Sequence, residues 1–196
     1  MSKIFISYRR KDARHEAHRL YSALCKLVKS RDDIFFDVDS IPPGVNFVKF
    51  LDNKVSQCEV ILVLIGERWL DAVDPETGLR RLDDPKDFVR IEVKSALDRD
   101  ILVVPVILDD ARMPKTHELP EDIRTLVDFN GVFLRADTFE ADVDKFFSKL
   151  PLKQKSQHNL PKQPEPPPSG IKLIGSEMGD PPDYFTRQCA ASYEQA

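Results

Sequence analysis

Val60–Ile65 reads VILVLI, six apolar side chains in succession, four of them β-branched. A strand with one wet face alternates polar and apolar residues; one that is apolar on both faces has to be covered on both, as a central strand of a parallel sheet between two layers of helices is. The flanking sequence supplies those layers. Residues 3–8, KIFISY, read as a strand, and Ala17, Leu20, Tyr21, Leu24, Leu27 and Val28 then recur at the three-and-four spacing of a buried helix face. Residues 34–38 predict a second strand, broken by Pro42, Pro43 and Gly44 before a helix carrying Phe47, Phe50, Leu51 and Val55. Beyond the central run, an acidic, proline-containing stretch at 83–87 suits the start of a helix bearing Phe88, Ile91, Ser95 and Ala96. Residues 101–108 predict strand four, in which Pro105 removes a ladder donor and so calls for a bulge or an unpaired position. A helical turn near 123–127, a fifth strand at 131–134 and a last helix presenting Phe139, Val143, Phe146, Phe147 and Leu150 complete the pattern. Five strands alternating with helices give an α/β sandwich around a parallel sheet, with right-handed crossovers.

The chain has 196 residues, room for one core and a tail. The chain as a whole, at 41% hydrophobic and 32% charged residues, has the composition of a globular protein, and residues 1–150 are read as its domain. At Leu150 this changes: residues 151–196 hold eight of the fifteen prolines and are expected to form a proline-rich, largely disordered tail. No apolar stretch approaches the roughly 20 residues that span a bilayer, so no membrane association is expected. MSKIFISY opens without an export signal, which predicts a cytoplasmic protein. Cys25, Cys58 and Cys189 make neither a disulfide framework nor a metal pair, and no metal site or bound cofactor is expected. A net charge of −4 offers no footprint for direct nucleic-acid binding.

In open parallel sheets ligands lie beyond the carboxyl ends of the strands, so the residues after each strand are informative. A phosphate-accepting domain of this topology needs acids after strand one and an aspartate at the end of strand three; these places hold Tyr8, Arg9, Arg10 and Gly66, Glu67. There is no GxGxxG, no GxxxxGK[ST] and no Ser/Thr- and Gly-rich flavin loop, and only seven glycines in all. The cations Arg9 and Arg10, with Lys11 next, offer a seat for a pyrophosphate-bearing ligand, or else form a solvated salt-bridging pair. Taken alone, Glu92 reads as an exposed helical acid pairing with Lys94 or Arg99.

The string KIFISYRR at 3–10 resembles the first conserved box of Toll/interleukin-1 receptor (TIR) domains. FFDVDSIPPG at 35–44 is similar to their second strand and BB loop, FVRIEVKSAL at 88–97 to the helix carrying the catalytic glutamate of NAD-cleaving members, and LPEDIRTLVDFNGV at 119–132 to the approach to their fifth strand. The resemblance covers residues 3–150 and implies a flavodoxin-like sheet of order 2-1-3-4-5. It also implies a chemistry: cleavage of the nicotinamide–ribose bond of NAD+, the substrate, by a carboxylate four residues after an aromatic ring. That spacing falls on Phe88 and Glu92, which share a helix face one turn apart. Losing nicotinamide leaves an oxocarbenium-like ribose, which a fixed carboxylate stabilises.

By the same resemblance Glu92 is the catalytic residue, and Tyr8, Arg9, Arg10, Ser40, Gly44 and Phe88 bind substrate. Phenylalanine at 88 replaces the usual tryptophan and keeps an aromatic wall without the indole N–H; Pro42 stands where an acidic BB-loop residue is found in an NAD-cleaving member. Trp69, after strand three, either packs beneath the loop or stacks on substrate. The implied partners are other TIR domains, whose packing switches the enzyme on, in a bacterial defence or virulence setting. The alternative is a non-catalytic adaptor that signals by homotypic assembly; such modules often lack the glutamate.

Overall fold

The computed structural model describes residues 3–36 and 44–152 of the 196. Five strands form one parallel sheet: β1 (Ile4–Ser7), β2 (Ile34–Phe35), β3 (Val60–Ile65), β4 (Leu102–Leu108) and β5 (Val132–Leu134), in the order β2-β1-β3-β4-β5. The helices are α1 (Arg10–Leu27), α2 (Phe47–Ser56), α3 (Phe88–Leu97) and α4 (Phe139–Phe147). The parallel α/β sandwich is the one expected from the periodicity, and the flavodoxin-like strand order is the one the family resemblance implied. Of the predicted strand 34–38, β2 takes Ile34–Phe35 and Phe36 is already outside it, while residues 37–43, including Ser40, lie outside the described residues. The expected tail lies outside them from residue 153 onward. The predicted turn at 123–127 is a 3-10 segment, Glu121–Asp128.

Side-chain alternation sorts the sheet into two cores. Ile4 and Ile6 of β1 with Val60, Leu62 and Leu64 of β3 meet Leu20 and Leu24 of α1 and Phe139, Phe146 and Phe147 of α4. Phe5 of β1 with Ile61, Val63 and Ile65 of β3 meet Leu51 and Val55 of α2, Val89 and Val93 of α3, and Ile123 and Leu126. All six β3 side chains are buried, which is the two-sided covering that VILVLI demands.

Pro105 produces no bulge. Its register with β3 is unbroken, opposite Val63, while pairing with β5 begins one residue later at Val106. The Pro105 carbonyl faces the β5 side, 3.4 Å from where a Cβ on Gly131 would lie. A residue's N–H and C=O point to the same side of a strand, so the missing donor falls where no ladder bond is required.

Truncating β3 should therefore be felt on folding, whereas trimming the edge should not. Leu62→Ala is expected to lower the unfolding free energy in urea by about 3 kcal/mol, and Phe133→Ala, on an exposed position of β5, to change it by no more than about 0.5 kcal/mol.

Candidate active site

β1 carries IFIS, and period-two alternation puts Ser7 on the same face as Phe5, toward α3. There the Ser7 hydroxyl donates to Glu92 Oε2 at 2.6 Å. Glu92 comes from the second turn of α3, on the buried stripe that includes Val89, Val93 and Ala96, and only 3% of its surface is exposed. Burial pushes its carboxyl up to about 8; the Asp87 charge adds to this, and the Ser7 hydrogen bond and the Arg9 charge oppose it. Glu92 is thus no surface acid: Lys94 pairs with Asp98, and Arg99 pairs with Asp52 instead.

What fixes α3 against the end of β1 is a buried ion pair. Asp87 caps α3 by accepting from the Arg90 amide at 3.1 Å. The same carboxylate receives a bidentate fork from Arg9, at 2.9 and 3.0 Å, and lies 3.2 Å from Arg81 Nε. Arg9 Nε donates to the Trp69 carbonyl at 2.9 Å, and the guanidinium lies 6.0 Å from the indole ring. All three Arg9 nitrogens are thereby engaged within the protein, and the side chain is buried. Arg9 does not present its guanidinium to a pyrophosphate in this structure; its geometry is that of a clamp.

The other expected residues are placed differently. Arg10 is exposed at the first position of α1. Tyr8 is half-buried, its ring stacked on Phe36 at 5.6 Å, with Tyr21 on Phe36 at 4.8 Å. Phe88 is 46% exposed at the start of α3, one turn before the buried Glu92. Gly44 is exposed with φ +83°, a backbone that favours glycine. Ser40 lies outside the described residues. Trp69 is completely buried, which decides for packing beneath the loop rather than stacking on a ligand. Close by, the Asp12 carboxylate accepts from the Arg68 amide at 2.8 Å and lies 2.6 Å from where a Cβ on Gly66 would be, so a side chain there would force the carboxylate to shift.

The sequence model of the TIR domain matches residues 4–147. This chain belongs to the TIR domain family. Among relatives, the domain is 31% identical over 144 residues to the NAD(+) hydrolase sarm1 of Drosophila melanogaster, covering 72% of this chain and 10% of that protein. It is 28% identical over 148 residues to the NAD(+) hydrolase SARM1 of Danio rerio, covering 75% of this chain and 19% of that one. The chain thus spans less than a fifth of the length of these curated relatives. Its fold is similar to the TIR domains of the activated Roq1 resistosome, which directly recognises the pathogen effector XopQ. The TM-score is 0.54 at 12% identity, over 76% of this chain and 99% of that one. Among the described residues of this TIR domain, no helix is long and apolar enough to cross a membrane.

Two residues of the TIR domain's site, Ser7 and Asp87, escaped sequence reasoning as participants. Both had a local signal: a polar residue on the inner face of an otherwise apolar strand, and an aspartate immediately before a helix. Removing one partner of the buried pair strands the other's charge. Asp87→Ala should lower the unfolding free energy by about 3–5 kcal/mol, and an apolar replacement of both Arg9 and Asp87 should recover most of that. Glu92 leaves a second signature. The folded state keeps the Glu92 proton up to about pH 8, while the unfolded chain releases it near 4.5, so its contribution to stability falls as pH rises between these values and is level above. Glu92→Gln should melt increasingly above wild type from about pH 5 to pH 8, with the gap constant beyond.

Proposed function

We propose that this TIR domain is an NAD+ glycohydrolase that cleaves the nicotinamide–ribose bond, releasing nicotinamide with ADP-ribose or its cyclic isomer. The observation that carries this reading is the buried Glu92 carboxyl, held by Ser7 at the carboxyl end of β1, with an exposed aromatic ring one helical turn before it. A carboxyl buried at the carboxyl ends of parallel strands weakens folding at neutral pH and has a raised pKa, as functional acids do. The relatives named as NAD(+) hydrolases add support.

In this mechanism Phe88 forms the wall on which the nicotinamide end packs. The pyridinium and ribose bring positive charge next to Glu92, which favours its ionised form. The C1′–N bond breaks with its electron pair going to the pyridinium nitrogen, so nicotinamide leaves neutral and needs no proton. Positive charge then resides on the ribose, where the Glu92 carboxylate stabilises it. Water adds at C1′ and its proton passes to the carboxylate or to solvent; attack by the adenine ring instead closes the cyclic product. Arg9 and Asp87 act through the placement of α3. Residues around Gly44 come into play by packing of one TIR domain on another, which completes the pocket.

Purified protein incubated with NAD+ should release nicotinamide, with specific activity rising with protein concentration. Glu92→Gln should reduce release at least about 1,000-fold while the domain stays folded, and kcat/KM of the wild type should climb with pH and level off above about 8. Phe88→Trp should raise turnover. A Glu92→Gln variant as active as wild type excludes the catalytic reading and leaves the non-catalytic assembly module.

A further inference from the structure

β2 is two residues long, and among the described residues no strand pairs with its outer side. A cavity of about 450 Å³ wraps this edge, within the size range of small-molecule sites. Its walls combine Phe35, Phe36 and Phe50 with three cations, Lys3, Arg31 and Lys54. Lys3 precedes β1 and Arg31 precedes β2, so the charges gather at the amino-terminal ends of the strands, whereas Ser7 ends β1 at its carboxyl end. This is not the Glu92 site.

The cations converge. Lys3 Nζ lies 4.9 Å and Lys54 Nζ 4.7 Å from the centre of the same Phe35 ring, and Lys54 is 5.3 Å from that of Phe50. Both ammonium groups also act on the buried Cys58 thiol. Among the described residues, Lys3, Arg31 and Lys54 form no ion pair: Lys3 donates to the Gln57 amide oxygen at 3.3 Å, and Asp32, the acid of the cavity, accepts from Ser30. Cation–π attraction holds two like charges near one ring, in a concave wall where three cations outnumber one acid and neither lysine is ion-paired; that arrangement attracts an anion. The rings indicate what the anion is attached to. Phe36 is taken up by Tyr8, His18 and Tyr21, and Phe35 by the two lysines; Phe50 has Lys54 beside it but, among the described residues, no ring stacked on it, which gives a flat group a surface next to a cation.

We propose that the β2-edge cavity is a second ligand site, which takes a nucleoside phosphate with its phosphate between Lys3 and Lys54 and its base against Phe50. The proposal is independent of the NAD+ reading. It is tested by amide NMR on the full chain titrated with ADP, inorganic pyrophosphate and adenosine. ADP should bind saturably and shift the amides of Lys3, Phe35, Phe50 and Lys54. Pyrophosphate should shift the same amides with several-fold weaker affinity, and adenosine should bind more weakly still. The double variant Lys3→Gln/Lys54→Gln should lose ADP affinity at least tenfold while releasing nicotinamide from NAD+ at the wild-type rate, and Lys54→Gln alone should lose severalfold. Absence of saturable binding, ADP shifts confined to Ser7 and the Phe88–Leu97 helix, or undiminished affinity in the folded variants would each overturn it. Pyrophosphate binding as tightly as ADP would overturn the nucleoside assignment.

Discussion

The Arg9–Asp87 pair holds the functional end of this domain together. One carboxylate caps the helix that carries Glu92 and grips the arginine that follows the strand carrying Ser7, so the 2.6 Å contact between Ser7 and Glu92 depends on a salt bridge two residues away on one side and five on the other. Both partners are withdrawn from water, and the pair is tolerated because its polar atoms are used: the Asp87 carboxylate meets a bidentate fork, a helix amide and Arg81, and the remaining Arg9 nitrogen meets the Trp69 carbonyl. Trp69 in turn is locked in the core beneath the loop that leads toward α3.

Burial sets the electrostatics of Glu92, opposed first by the Ser7 hydrogen bond, and the clamp adds two smaller charges of opposite effect. Arg9 draws its carboxyl toward ionisation and Asp87 pushes the other way, so with the pair intact the desolvation of a buried carboxyl dominates. The result is a carboxyl that keeps its proton well above the usual carboxylate range and that, in the proposed reaction, ionises as the positively charged substrate arrives. A carboxylate permanently charged in the same position would need a permanent counter-ion, which would compete with the cationic substrate of the proposed reaction.

The layered fold was legible because its signals are local and repeated: VILVLI, the three-and-four spacing of α1, and the breaks between elements all pointed the same way. Pro105 left a bulge and an unpaired position both open, and the second is found, because a sequence shows that a donor is missing but not which neighbouring strand it faces. At the site, the spacing of Phe88 and Glu92 marked one stripe of α3, yet only tertiary packing buries the second and leaves the first half-exposed. Arg9 shows the limit most clearly. A pair of arginines after a strand reads as anion recognition, and its partner Asp87 is 78 residues away in sequence; nothing local distinguishes a guanidinium reserved for a ligand from one that clamps the core.

The account stands on Glu92 being a buried carboxyl whose proton is retained well above the usual carboxylate range. Titrating its side-chain carboxyl carbon by 13C NMR, assigned by comparison with Glu92→Gln, measures this directly. A midpoint near pH 8 is the predicted result; a midpoint near the ordinary glutamate value of 4.5 would contradict it.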